Sequence, residues 1–498
     1  MEYLEVDYTD KSLFGSDIAD TESDEVFAAY ALERPEVKEF LDGSNPIQVV
    51  RAYKGEGKSA LLRIVKNNLL ERAPNSIVIN TTGVDLSPAC DSSDSDFWTR
   101  EWKKKILHLA ANEIGKRIGW AFTDDAISLV EEAELNGFKE RSFVSSIVDR
   151  LQSSKVPIQR TRITQEDREQ TLKRWLHKKE PIWLIIDDVD QNFVNTDRYK
   201  LKIAAYFTAC RQIVTAIPEL KIRTCVRPNV WKIIKREFEA LSHIEQFMQD
   251  LTWTPDQITE LLAKRVQGYF ERKGTWKEVK KHLPDALDVR NKRLIYLVFD
   301  SPMAWGGNNR KRPAEIILNS LSRGRPRWLV ELCTISAETA FKRKANRISI
   351  DDIINELEEF GKRRIDDTIA EFSSQCPAIE EILTAFSQQN ERYQTDELMQ
   401  VIGNHIENKI TIKIFGILGA PNKREIAHFL YQIGFITARR DFDNGEYKHI
   451  SFVEQPDLFK SRLNIDDGVS WEIHPVFRQA LKLKNVETKQ QKKWAQRK

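Results

Sequence analysis

Three groups of residues in this 498-residue chain have the types and spacing to handle a nucleoside triphosphate. The first is Ala52-Tyr53-Lys54-Gly55-Glu56-Gly57-Lys58-Ser59. Backbone N–H groups that curl around phosphate oxygens need glycines where a Cβ would intrude, and Gly55 and Gly57 supply them. A helix beginning at Gly57-Lys58-Ser59 adds its partial positive charge; Lys58 adds a full one against the β- and γ-phosphates, and Ser59 a hydroxyl for Mg²⁺. Nucleotide contact is therefore expected through Lys54, Gly55, Glu56, Gly57, Lys58, Ser59 and Ala60.

The second group closes an apolar run, Pro181-Ile182-Trp183-Leu184-Ile185-Ile186-Asp187-Asp188-Val189-Asp190. Buried parallel strands are continuously apolar, and ligands bind beyond their carboxyl ends. Asp187 is placed to hold Mg²⁺ and Asp188 to orient or deprotonate an attacking water. Asp190 reads either as support for these two or as a turn residue. A phosphate loop paired with such a strand marks a Walker-type ATPase. The third group is cationic. Arg227 ends the strand pattern Lys221–Val226 and is a candidate sensor of the γ-phosphate, with mid-strand Thr224 a weaker one. Arg327, in Gly324-Arg325-Pro326-Arg327, is either a second sensor or a basic helix cap.

These groups need a scaffold. Ile47–Val50 is a β-branched strand pattern, and Leu61, Leu62, Val65 and Leu69 form the stripe of the helix after the loop. Ser76–Asn80 and Phe247–Trp253 read as further strands, and Lys200–Ile217 as a helix. The stretch 92–179 reads as a helical insertion, with Lys103-Lys104-Lys105 on its solvated side. The fragment Leu13-Phe14-Gly15-Ser16 reads either as an aromatic packed near a bound base or as a turn that caps a helix. Residues 270–370 look all-helical. Beyond them, helical patterns at 377–388, 395–406 and 422–433 precede strand patterns joined by Asp443-Asn444-Gly445, the order of a winged helix. There 422–433 would be the recognition helix, and Arg439 and Arg440 would lie on the hairpin.

The expected fold is α/β: a P-loop NTPase parallel sheet with a helical insertion, followed by an all-α lid and a winged-helix domain. The expected boundaries are an acidic, helical segment at 1–46, the ATPase core at 47–255, the lid at 256–375, the winged helix at 376–485 and a basic tail at 486–498. Net charge is only +2, so no global field calls for nucleic acid. Charge sits at the ends: nine acids and one lysine in residues 1–25, seven cations and one glutamate in 481–498. Five scattered cysteines form no C-x-x-C pair, which fits a reducing cytoplasm. No membrane span or leader is expected.

The loop A-Y-K-G-E-G-K-S, the strand ending D-D-V-D, V-R-P at the next strand end, G-R-P-R before a later helix and the C-terminal winged helix together resemble an AAA+/STAND-type prokaryotic P-loop ATPase. The chain is most similar to a family with a K-G-x-G-K-S-A loop and a late H-P-x-F-R segment, here His474-Pro475-Val476-Phe477-Arg478. The same plan is shared by origin-recognition and transposition ATPases. The resemblance implies ATP and Mg²⁺ as ligands, nucleotide-driven switching, and a homo-oligomer or a separate effector protein as partner. Several lineages of this kind serve in anti-phage defence. The alternative output is a DNA-binding loader or remodeller, with nucleic acid on the winged helix. Two departures from the pattern matter: Ala52 stands at the first glycine of the loop, which bears on local geometry and not on nucleotide binding, and Asp188 replaces the glutamate of fast hydrolases. Aspartate is one methylene shorter, which favours slow, switch-like turnover.

Overall fold

The computed structural model describes residues 6–485 apart from 33, 75, 90, 119–128, 131, 135, 137–164, 178, 307–309, 443–446 and 460–467. Nearly half of the insertion, Cys90, the Asn444-Gly445 turn and the basic tail thus lie outside the described residues. The chain forms two compact units, 32–252 and the union of 1–31 with 253–498.

In the first unit, β1 (Ile47–Arg51), β2 (Val78–Thr82), β3 (Ile182–Asp187), β4 (Leu220–Val226) and β5 (Met248–Asp250) form one parallel sheet in the order β2-β3-β4-β1-β5. The first five residues of β3 are fully buried, as its unbroken apolar run requires. Helices cover the sheet on both faces. Lys58–Arg72 packs with Val50, Ile185 and Cys225, while Ser95–Arg117 and Asp197–Ala216 pack with Val49, Leu184 and Ile222. Of the insertion, Ser95–Arg117 and Gln165–Leu176 are helical.

One buried cation ties the sheet together. Arg223 of β4 is fully buried and has only carbonyls for partners: Phe40 O at 2.6 Å, Asp42 O at 2.8 Å, Ile222 O at 3.0 Å and Asn45 O at 3.1 Å. Its guanidinium also lies 4.7 Å from the Trp183 ring centroid. These bonds pin the turn that feeds β1, and so the approach to the phosphate loop.

β5 is shorter than the apolar pattern suggests. The run enters as a 3₁₀ helix, Glu239–Phe247, whose Leu241 and Ile244 are buried without strand pairing.

The second unit opens with a strap. Phe14 is buried with its ring 6.0 Å from Phe299, and Arg265 donates to the Phe14 and Ser16 carbonyls. Helices Pro255–Arg272, Leu287–Val298, Ala314–Ser322, Pro326–Lys342 and Ile350–Phe372 follow. The all-helical expectation for 270–370 needs one correction: β6 (Met303–Ala304) and β7 (Lys311–Arg312) pair antiparallel, each too short to leave a periodic signal. In 376–485, helices Ile379–Thr384, Thr395–Ile402 and Lys423–Gln432 accompany β8 (Arg392–Gln394), β9 (Ile436–Asp441), β10 (Tyr447–Ile450) and β11 (Val469–Ile473), ordered β10-β9-β11-β8.

Candidate nucleotide site

The phosphate loop leaves β1 at Ala52, whose N–H donates to Val226 O at 3.3 Å. Ala52 is buried and has no positive φ, so its position needs no glycine. The departure from the motif is therefore sterically neutral. Gly55 at φ 83° and Gly57 at φ 96° do occupy the left-handed region, which a side chain would strain. Glu56 closes the turn: its Oε2 accepts from Tyr53 N–H at 2.6 Å, and its own N–H donates to Tyr53 O at 3.2 Å.

Gly57 is the N-cap of Lys58–Arg72 and offers no side-chain cap. The first N–H groups of a helix lack intrahelical acceptors, so this terminus presents donors and a positive dipole end to an anion. Lys58 and Ser59, both partly buried, open the helix. Burial pulls the Lys58 pKa down, but Asp190 above all, with Asp187, raises it on balance against an opposing Arg227. Lys58 is therefore held as a cation.

β4 lies between β1 and β3, and this brings the acidic and cationic groups to one edge. Asp187 ends β3. Its Oδ1 accepts from Asp188 N–H at 2.7 Å and from the Cys225 thiol at 2.8 Å. Burial first, then Asp187, pushes the Cys225 pKa well up, which keeps the thiol a donor. With Oδ1 anchored, Oδ2 can turn toward a cation. Asp188 follows at φ 51°, a left-handed conformation uncommon outside glycine but tolerated by Asp and Asn.

Asp190 is buried, and its role is visible. Its Oδ2 accepts from Arg227 N–H at 2.7 Å and from Arg227 Nε at 3.0 Å, while its carbonyl takes the guanidinium. Arg227 is thus clamped at the tip of β4. Thr224 lies inside the core and accepts the Tyr206 hydroxyl at 3.0 Å. Arg327 belongs to the other compact unit, in the first turn of Pro326–Lys342, where its Nε meets Asp17 at 3.0 Å.

Two contacts had little signal in the sequence. The Cys225–Asp187 bond depends on strand order, which no local pattern encodes. Gly83 starts the turn after β2; a Cβ there would come within 2.3 Å of Val189 Cα, so a side chain would push on the loop that carries Asp188 and Asp190. A glycine directly after a strand was the available hint.

Among the described residues no three His, Cys, Asp or Glu side chains cluster as a metal cage. Mg²⁺ would instead take Ser59 and Asp187 and complete its shell with phosphate and water. Among the described residues no helix is long and apolar enough to cross a membrane.

No protein-family model and no curated protein sequence matches the chain. Among solved structures, it is similar to the Aeropyrum pernix ORC2 protein in its ADPNP–ADP complexes, with a TM-score of 0.41 and 10% identity over 98% of this chain and 99% of that one. The Walker-type ATPase PABY2304 of Pyrococcus abyssi gives 0.38 and 13%, over 86% and 96%. Domain III of the Thermotoga maritima replication initiation protein DnaA gives 0.31 and 12%, over 70% and 97%. All three scores are low.

Proposed function

We propose that the chain is an AAA+-type ATPase that binds Mg·ATP at the carboxyl edge of its parallel sheet and hydrolyses it slowly. The change of nucleotide then regulates an oligomer or a separate effector protein, the output for which anti-phage defence is the setting that the sequence resemblance implies. The observation that carries the reading is the uncapped helix terminus at Gly57, with a charged Lys58 under the influence of Asp187 and Asp190. In this reading Lys58 neutralises the β- and γ-phosphates, Ser59 and Asp187 hold the Mg²⁺, and Asp188 orients water. Arg227 and Arg327 sense the γ-phosphate. Arg227 is already presented by Asp190, whereas Arg327 must first leave Asp17.

The 376–485 domain acts, in this reading, as a winged helix that docks protein. Half of the ten residues of Lys423–Gln432 are buried, which supports docking over insertion into a DNA groove. The segment after β10 packs on that helix: the Tyr431 hydroxyl donates to Ser451 O at 2.6 Å, Phe452 lies 5.5 Å from both Tyr431 and His428, and His428 Nδ1 is bonded to Leu458 O. Lys423 is paired with Glu407 at 3.8 Å, and Arg439 with Glu472 at 2.6 Å.

Lys58→Ala tests the nucleotide reading directly. Mg·ATP binding and turnover should fall below detection while thermal stability stays close to wild type. Unchanged turnover would sink the assignment. A salt series on duplex DNA with the full chain tests the docking reading. Sub-micromolar affinity at physiological salt, with a slope of roughly −4 or steeper in log–log form, would move the protein to the loader class.

A further inference from the structure

The second unit contains a cleft of about 1430 Å³ whose lining includes none of the residues assigned to the nucleotide. Small-molecule pockets usually measure about 300–1,000 Å³, so this volume suits a segment of polymer. One wall comes from Ala314–Ser322 and Ile350–Phe372. It carries Ile316 and Ile354, which are 47% and 37% exposed, with Trp305 beside them. Eleven large apolar side chains among the described residues are at least this open, and two of them share this cleft.

The lining is also charged, and its charges divide unevenly. The four acids that line the cleft are committed: Glu472 to Arg439 at 2.6 Å, Glu391 to Arg478 at 3.0 Å, Glu358 to Lys362 at 3.0 Å, and Glu397 to the Gln394 N–H at 2.9 Å. Arg312 and Lys482 also line it, and neither has a carboxylate within ion-pair distance among the described residues. Both edge strands of the four-stranded sheet, β8 and β10, contribute side chains to the lining. An edge strand offers main-chain donors and acceptors that an extended peptide can pair with.

We propose that this cleft binds an extended acidic peptide of a partner protein, whose apolar side chains rest on Ile316, Ile354 and Trp305 while its carboxylates meet Arg312 and Lys482. The inference rests on the docking reading of residues 376–485 and gives it a partner class and a place. Single-stranded nucleic acid fits less well. Four carboxylates in the lining oppose a phosphate backbone, and of the rings that could stack a base, Tyr447 is already covered by Arg439 at 3.8 Å and Arg312 at 5.6 Å, which leaves Trp305.

The test uses the full chain and fluorescence anisotropy. The probes are a labelled peptide of repeating Glu-Leu-Glu-Glu-Phe units, its Lys-for-Glu counterpart, and oligothymidylate. The acidic peptide should bind, weaken with salt, and lose roughly tenfold or more in affinity in Arg312→Glu combined with Lys482→Glu. Ile354→Asp should weaken it separately, so the result does not depend on one variant. Mg·ATP turnover, which these positions do not touch, should be unchanged in all variants; this separates a failed cleft from a failed ATPase. Failure of the acidic peptide to bind, equal binding of the basic peptide, unaltered affinity in the variants, or preference for oligothymidylate would each overturn the proposal.

Discussion

Two helix N-termini in this chain are built in opposite ways. Lys58–Arg72 starts at a left-handed glycine with no side chain to satisfy its first N–H groups. Lys423–Gln432 starts at Asn422, whose Oδ1 accepts from Glu425 N–H at 3.1 Å while Glu425 Oε2 accepts from Asn422 N–H at 2.8 Å. The first terminus is left for a ligand to complete; the second completes itself. The contrast extends to the surroundings. Around Lys58 the backbone holds three left-handed positions, Gly55, Gly57 and Asp188, and a side-chain-free approach at Gly83. Around β11 the charges close on one another: Glu472 meets Arg439, His449 and Arg478 within 3.2 Å. At the phosphate loop the left-handed positions frame an open helix terminus; at β11 the charges satisfy one another.

The largest effect that separates the two regions is expected at Asp188. Asn tolerates the same left-handed backbone, so Asp188→Asn removes charge without adding strain. Mg·ATP should still bind through Asp187, while turnover falls on the order of 10²–10⁴-fold. Single-turnover assays beside equilibrium binding would show this. Wild-type turnover would pass the water-orienting role to another group, and since Asp190 is committed to Arg227, that group would have to come from elsewhere.

A second lesion belongs to the closed region. Burial alone would raise the Glu472 pKa; His449, Arg478 and Arg439 more than reverse it and hold the carboxylate well below its usual 4.5. Because the folded pKa is the lower one, this stabilisation is fully present above about pH 4.5 and declines as pH falls toward the folded value. Glu472→Gln removes one of two carboxylates from Arg439, which keeps Asp441, and from Arg478, which keeps Glu391, and should cost about 2 kcal/mol near neutral pH. The penalty should shrink in acid. Denaturant unfolding at neutral and acid pH measures both. ATP turnover per folded molecule should not change, and a drop there would couple the network to the nucleotide site.

How much of this was legible in the sequence follows the range of each interaction. β1, the phosphate loop and its helix are contiguous, so spacing alone locates Gly55, Gly57, Lys58 and Ser59. β3 is an unbroken apolar run that ends in acids, and it too is local. The placement of β4 between β1 and β3 is not local, and the Cys225 thiol on Asp187 and the Asp190 clamp on Arg227 both follow from it. Arg223 shows the same limit. A charged residue inside a strand pattern gives no hint that three carbonyls of the turn before β1 surround it. Apolar content also fails to mark where pairing starts and stops: Phe247 ends a 3₁₀ helix and 251–253 lie beyond the strand, so β5 is only Met248–Asp250.

The smallest effect tests the capped terminus itself. Asn422→Ala deletes the acceptor for Glu425 N–H and frees the Glu425 carboxylate from a fixed cap geometry. N-cap losses of this kind cost about 1 kcal/mol, so chemical unfolding should show a shift of that size. If the cap serves folding alone, ATP turnover and the affinity measured for duplex DNA should match wild type. If this terminus instead receives phosphate from DNA, removing the cap should expose more N–H groups to it and strengthen duplex binding despite the lost stability. Stability and duplex affinity then move in opposite directions, a pattern that a purely structural cap cannot give. That result would mean that both helix termini are anion sites, and the contrast between Gly57 and Asn422 would mark two ligands of one protein in place of one site and one scaffold.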